Sequence, residues 1–193
     1  SSLYARHGLP MVLRITSIGP DFSLDAELES RGYTFTGETR VMCMPLAPRP
    51  SARGDLLFNI VDTGRFAAAV GAMRDSESDH IAEHHKRLQG LAVDISPVLA
   101  TDAAGQCVAA GLAVRDGDLL GLFDIVTDPG QRRKGYAAAL IEHLLATGAA
   151  GGAATAYLQV EPENTAARAL YGRYGFKDCY AYWYRLPAEQ TDA

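Results

Sequence analysis

The chain has 193 residues, 48% apolar and 21% charged, with 18 Lys and Arg against 23 Asp and Glu for a formal net charge of −5. A chain of this size can bury a substantial core, and the acidic balance argues against nucleic acid as the main partner, which demands a cationic face. No apolar run approaches the ~20 residues of a membrane span, and the N-terminus lacks the charged-then-apolar build of a leader. The start at Ser1-Ser2 in place of Met leaves room for an upstream segment. Cys43, Cys107 and Cys179 cannot all pair within the chain and none sits in a CxxC arrangement, so reduced thiols, a cytoplasmic location and no structural zinc are expected.

The first predicted elements are a strand over 11–16, a helix over 24–30 and, after Gly32-Tyr33, a strand over 41–44. Pro45, Pro48 and Pro50 then forbid a regular helix and favour an extended connector. The expected division is therefore a half-domain over 1–46, a linker over 47–54, a main domain over 55–187 and a tail over 188–193. The main domain opens with a strand over 56–61 and a helix over 63–74 capped by Asp62 or Thr63. A polar helix over 79–88 follows. Strands over 98–101 and 107–114 flank the hairpin signal Asp102-Ala103-Ala104-Gly105-Gln106, and Asp116-Gly117 turns into a strand over 119–126. After residue 135, Ala138, Ile141, Leu144 and Leu145 recur at helical spacing until Gly148 and Gly151-Gly152 dissolve the pattern. A strand over 157–160, a helix over 165–174 and an aromatic strand over 179–185 complete an α/β sheet wrapped by helices. The strand-helix-glycine-strand order of 11–44 repeats that of 156–185 in pattern rather than identity.

The segment with the most chemistry is an apolar strand, Thr127-Asp128-Pro129-Gly130, then Gln131-Arg132-Arg133-Lys134-Gly135-Tyr136-Ala137, then a helix. A helix N-terminus leaves amide donors unpaired and carries about half a positive charge. Arg132, Arg133 and Lys134 add cations where a capping carboxylate would stabilise the helix. Such an arrangement suits an anion held in the turn. Gly135 lets the backbone approach it and Ala137 keeps the next turn slim. Read alone, the turn is equally an exposed basic loop or a nucleotide site, although neither GxxxxGK[ST] nor GxGxxG occurs.

Downstream stand Tyr157-Leu158-Gln159-Val160-Glu161-Pro162-Glu163-Asn164, Ala167, Leu170-Tyr171 and Gly175-Phe176. With these two ordered motifs the chain resembles the GNAT superfamily of N-acetyltransferases over residues 55–187. Arg132 to Ala137 match its R/Q-x-x-G-x-G/A turn, and Leu170 to Phe176 its L-Y-x-x-x-G-F helix end. The resemblance implies a mixed, mostly antiparallel sheet with splayed parallel central strands flanked by helices. The preceding β-α-β half-domain resembles the degenerate N-terminal copy of tandem members.

It further implies an enzyme that transfers an acetyl group from acetyl-CoA to a primary amine of a small molecule or peptide. Backbone groups of Ile125, Val126 and Thr127 would bond the pantetheine, and amides of Arg132, Arg133, Lys134, Gly135, Tyr136 and Ala137 the pyrophosphate. An amide in the first of these stretches could also support the developing oxyanion. Tyr171 would give the departing thiolate a proton. Asn164 would bond the cofactor, cap the helix at Thr165, or both. Asp124 and Glu161 are both candidate bases, and neither is required if the amine arrives neutral. Read structurally, Tyr171 is a core tyrosine and the two carboxylates are solvated or paired.

His80 and His84 lie one turn apart on the polar helix, but Glu83 sits beside the second His instead of the first, so the pattern fits an exposed helix better than a metal site. In the family this region borders the acceptor. Tyr180, Tyr182 and Tyr184 share one strand face, which serves as core or as a subunit interface, so a homodimer is compatible with it. Cys107 and Cys179 read as packing residues. The competing function is a non-catalytic acyl-CoA-binding regulatory module, which binds the cofactor and turns over no amine.

Overall fold

A computed structural model describes residue 4 and residues 6–19, 22–48 and 54–187. Residues 49–53 of the expected linker region and the expected tail over 188–193 lie outside the described residues. In chain order the described elements are β1 (Leu13–Thr16), α1 (Phe22–Ser30), β2 (Thr34–Pro45), β3 (Leu57–Ile60), α2 (Thr63–Arg74), α3 (Ser78–Gln89), β4 (Asp94–Thr101), β5 (Cys107–Asp116), β6 (Leu119–Thr127), α4 (Tyr136–Ala150), β7 (Thr155–Val160), α5 (Thr165–Tyr174) and β8 (Lys177–Leu186). The fold is mixed α/β with a mostly antiparallel sheet flanked by helices, as the motifs imply. The chain forms two compact units: Met44–Leu158, and Ser1–Cys43 with Gln159–Ala193.

Within Met44–Leu158, β3, β4, β5 and β6 pair antiparallel in sequence order; short turns join β4 to β5 and β5 to β6, whereas α2 and α3 connect β3 to β4. β7 adds parallel to β6, from Leu119↔Thr155 to Leu122↔Leu158, after the crossover through α4. Alternation along β5 sends its residues to two different layers. Ala110 and Leu112 pack with Phe66, Val70 and Met73 of α2. The Cβ direction of Gly111 points instead at Leu140 and Leu144 of α4. Both faces of this sheet are therefore covered. α2 is opened by Asp62, whose Oδ1 accepts from Arg65 N–H at 2.9 Å. α4 runs through Gly148 to Ala150 and ends within the glycine-rich stretch 148–152, as the sequence leads one to expect. A Cβ at Gly148 would stand 2.4 Å from Leu120 Cδ2, so the glycine is a point of close helix–sheet approach inside the last turn.

In the other unit β8 lies between β1 and β2, antiparallel to both. α1 is anchored to β8 by an ion pair. Arg185, only 4% exposed, donates from Nε and Nη2 to the two oxygens of Asp25, each at 2.8 Å. Trp183 Nε1 donates to the same carboxylate at 2.7 Å. The Arg185 hydrogen bonds hold the Asp25 carboxyl below the usual carboxylate range, with burial opposing and Trp183 assisting. Cys43 on β2 and Cys179 on β8 form a disulfide, where the sequence reading expected reduced thiols. They stand 136 residues apart, with Cα atoms at 6.0 Å, and only the strand pairing brings them together. Cys107 is free and half-buried, in keeping with a packing role.

Candidate active site

The site is built around an irregularity in β6. Val126 pairs with Ala110 and Phe123 with Leu112, so Asp124 and Ile125 together face the single residue Gly111. This is a β-bulge, and Asp124 takes a left-handed φ of 50° to make it. The consequence follows from alternation. Leu120 packs towards α4, whereas Phe123 faces the other way, onto Tyr157. A regular strand would return Asp124 to the α4 side. The extra residue instead keeps Asp124 beside Phe123 on the lining of a 670 Å³ cavity, and sends Ile125 back towards Gly111 and α4.

That cavity lies between α2, α3 and the sheet, with walls that include Val70, Ile81, Leu88, Leu112, Val114 and Phe123. Its polar centre is Asp124. Arg74 Nη1, at the end of α2, lies 2.9 Å from Asp124 Oδ1, and His84 Nε2, on α3, lies 2.9 Å from Oδ2. The Asp124 and His84 side chains are 20% and 15% exposed, so water covers little of this pair. The expectation of an exposed helix face does not hold for His84. Among the described residues no three His, Cys, Asp or Glu side chains converge as a metal site. The packing that holds α3 is tight. A Cβ at Gly71 of α2 would meet Ile81 Cγ1 at 2.4 Å, one turn before His84.

Beyond Asp124, β6 continues through Ile125, Val126 and Thr127, past the point where its register with β7 ends at Leu122↔Leu158. Asp128 then caps a short turn by accepting from Gly130 N–H at 2.7 Å. Arg132, Arg133, Lys134 and Gly135 are exposed, and Tyr136 and Ala137 half-buried. Lys134 Nζ donates to Gln131 Oε1 at 2.6 Å. Arg133 and Gly135 both take left-handed φ, 64° and 84°. Gly135 caps α4 with no side-chain hydrogen bond, the first turn carries no acidic residue, and open space surrounds the position a Cβ would take. A diphosphate fits such a terminus, since positive backbone and side-chain charge converge there with no carboxylate of the helix's own first turn.

Glu161, Asn164 and Tyr171 belong to the other unit. Glu161 is exposed at the end of β7. Asn164 is the cap of α5, its Oδ1 accepting from Ala167 N–H at 3.1 Å. Tyr171 is 8% exposed, with its ring edge-on to Phe176 at 6.0 Å. Burial pushes its phenol above the ordinary value of 10.0, so the group keeps its proton. The sequence singles out no role for Arg74, and it places His84 on a helix face expected to be exposed. No local pattern marks either, because their partner Asp124 sits on a strand remote in the chain; His84 is 40 residues from it.

The acetyltransferase (GNAT) family model matches residues 37–176. The chain belongs to that family. GNAT proteins are acyltransferases that use acetyl-CoA as co-substrate and act on amine-bearing acceptors. A [ribosomal protein bS18]-alanine N-acetyltransferase of Escherichia coli K12 is 44% identical over 57 residues, which are 30% of this chain and 38% of that protein. The chain thus aligns with well under half the length of the curated relatives it matches. Among solved structures, a GCN5-related N-acetyltransferase from Kribbella flavida superposes with a TM-score of 0.69 at 19% identity, covering 97% of this chain and 72% of that one. One from Sphaerobacter thermophilus gives 0.72 at 18%, covering 94% and 62%. The Escherichia coli ribosomal-protein-S18-alanine N-acetyltransferase gives 0.55 at 22%, covering 68% of this chain and 94% of that one. At these identities the superpositions speak for the fold alone.

Proposed function

We propose that this chain transfers an acetyl group from acetyl-CoA to a primary amine of a small molecule or peptide by direct attack. The observation that carries the reading is the start of α4: a left-handed Gly135 with open space around it, three cations, and neither a capping side chain nor an acid in the first turn. Amides of the turn from Arg132 to Ala137 would hold the cofactor's diphosphate there. Backbone groups of Ile125 to Thr127, in the stretch of β6 beyond its register with β7, would receive the pantetheine arm as an added strand does. The cofactor supplies an acetyl thioester, a carbonyl carbon open to attack with a thiolate as leaving group. Tyr171, kept protonated by burial, is the proposed donor to that thiolate. Asn164 serves as helix cap, and a hydrogen bond from it to the cofactor belongs to the same proposal.

The acceptor enters the cavity between α2, α3 and the sheet. Its aliphatic and aromatic walls favour an amine carried on an apolar body, and 670 Å³ accommodates a small molecule or the first residues of a peptide. The partial likeness to the ribosomal-protein alanine acetyltransferase makes an N-terminal peptide amine one acceptor to include in any panel.

The β1-α1-β2 segment is proposed as a partial, degenerate copy of β7-α5-β8. Supporting this, both helices end on a left-handed glycine, Gly32 at φ 82° and Gly175 at 98°. Both continue with an aromatic residue whose N–H reaches five residues back: Tyr33 to Leu28 O at 3.0 Å, and Phe176 to Tyr171 O at 3.3 Å. Leu28 stands where the second copy has Tyr171, so the proposed acid is present once.

The test is thiol release from acetyl-CoA over a panel of alkyl, aryl and peptide amines, alongside calorimetry of CoA binding. Turnover of at least one amine is expected. CoA binding with no turnover of any amine would mark the chain as a regulatory acyl-CoA-binding module. Displacement of CoA by ATP would point instead to a nucleotide site.

A further inference from the structure

The pairing inside the cavity bears on which group takes the acceptor's proton, and the inference rests on the acetyltransferase reading above. Asp124 is the carboxylate on β6 itself, just before the stretch proposed to receive the cofactor, yet both its oxygens are engaged, Oδ1 by Arg74 and Oδ2 by His84. Asp124 could take a proton at either oxygen only by displacing one of these partners, which does not suit it as the base. It is, however, a good orienter. An ionised carboxylate only accepts hydrogen bonds, so the His84 nitrogen facing it, Nε2, carries the hydrogen. In the neutral ring the lone pair then resides on Nδ1. His84 lines the cavity, 15% exposed, with Phe66 packed edge-on against its ring at 6.1 Å.

We infer that His84 is the base for the acceptor amine, with Asp124 and Arg74 as positioning residues that fix its tautomer and ring orientation. The step balances as follows. The amine nitrogen forms a bond to the acetyl carbon and gives up one proton to His84 Nδ1. The carbon–sulfur bond breaks, and its electron pair leaves on sulfur, which takes a proton from the acid. The imidazolium that forms is stabilised by Asp124, as in other carboxylate–histidine pairs. The β-bulge acquires a reason in this scheme: without the extra residue Asp124 would face α4 and the ring of His84 would have no partner. The charged and titratable groups that line the cavity around His84 are Arg74 from α2, Asp124 from β6, Tyr157 from β7, and His80, Glu83 and Arg87 from α3 itself.

The experiment uses the full chain, acetyl-CoA and any alkyl amine the wild type acetylates. His84→Gln is expected to lower kcat about a hundredfold, the lower end for general-base catalysis. Acceptor KM and acetyl-CoA affinity, the latter by calorimetry, stay within about twofold. On the acid side, log kcat/KM of the wild type climbs with a slope approaching about two, because enzyme and acceptor must each lose a proton; the variant climbs with a slope of about one. Imidazole added to His84→Ala restores part of the turnover, a response that a purely structural histidine would not give. Asp124→Asn lowers kcat by less than His84→Gln, and the double variant is no slower than His84→Gln alone, since residues that act as a unit are non-additive. Near-wild-type kcat in a folded His84→Gln, or a double variant slowed by the product of the single effects, overturns the assignment. A wild type that binds acetyl-CoA and acetylates no amine removes the acetyltransferase reading and this role with it. Near-wild-type turnover without His84 removes the role alone.

Discussion

Replacing Gly71 by alanine tests whether the α2–α3 contact is as tight as the structure has it. The added methyl would stand 2.4 Å from Ile81 Cγ1 and 2.5 Å from Cδ1, against ordinary contacts of about 3.5–4.0 Å. The overlap is therefore more than an ångström at two atoms. Ile81 has little freedom to turn aside, because a β-branched residue in a helix holds one χ1 rotamer strongly. α3 must back away, and overpacking of this kind costs about 1–3 kcal/mol. Against that, alanine is favoured over glycine inside a helix by about 1 kcal/mol. With two atoms clashing the overpacking wins, and a net loss of up to about 2 kcal/mol is expected, or up to about 8 °C in Tm for a chain of this size. The partner variant Ile81→Ala removes the obstructing atoms. In that background Gly71→Ala should raise Tm, because only the helix preference remains and the methyl fills space left by the isoleucine. Thermal melts followed by circular dichroism on the four proteins of this cycle give the answer. The reasoning fails if Gly71→Ala has the same sign in both backgrounds, or stabilises the wild type.

Gly135→Glu should leave the chain folded, since open space surrounds the new Cβ, at a strain of about 1–2 kcal/mol for a left-handed residue. It should weaken acetyl-CoA binding at least about a hundredfold by calorimetry, because a carboxylate a few ångströms from a phosphate costs about 4 kcal/mol before screening. Gly135→Ala, equally strained and uncharged, separates charge from strain and should bind far better. Tyr171→Phe should lower turnover about a hundredfold with acetyl-CoA affinity nearly unchanged. The same variant should unfold less readily in alkali. With its folded value raised by burial, the tyrosine contributes stability that is complete below pH 10.0 and is lost as pH climbs towards the folded value. The half-buried Cys107 thiol, also raised by burial, remains in both proteins, so the difference between their melts reports Tyr171. Asp25→Asn should cost about 2–3 kcal/mol in Tm-based stability at pH 7, as the buried Arg185 loses its charged partner. Because the Asp25 value is lowered on folding, that contribution is present above about pH 3.8 and fades as pH falls towards the folded value; the wild-type and variant melting curves should therefore converge in acid.

Much of this architecture was legible in the chain because it depends on neighbours in sequence. The bounds of α2 and α5 follow from Asp62 and Asn164, whose side chains accept from amides three residues on, and from apolar spacing between cap and stop. The left-handed glycine before α4 and the cations preceding it are a local motif, and so is the glycine–aromatic stop shared by α1 and α5. The end of α4 is legible in the same way, at Gly151-Gly152. Of the three glycines there, Gly148 stays within the helix and admits Leu120 from a strand that periodicity cannot see.

The sequence by itself determined the helices, the turns and the strand-turn-helix that presents an anion site, since hydrogen bonds spanning three to five residues settle them. Only the tertiary structure decided that an extra residue in β6 turns Asp124 towards α2 and α3, that Arg74 and His84 meet it there, and that Cys43 reaches Cys179. Those contacts join residues remote along the chain, and their partners are chosen by strand register and helix packing, which no local pattern of residues encodes.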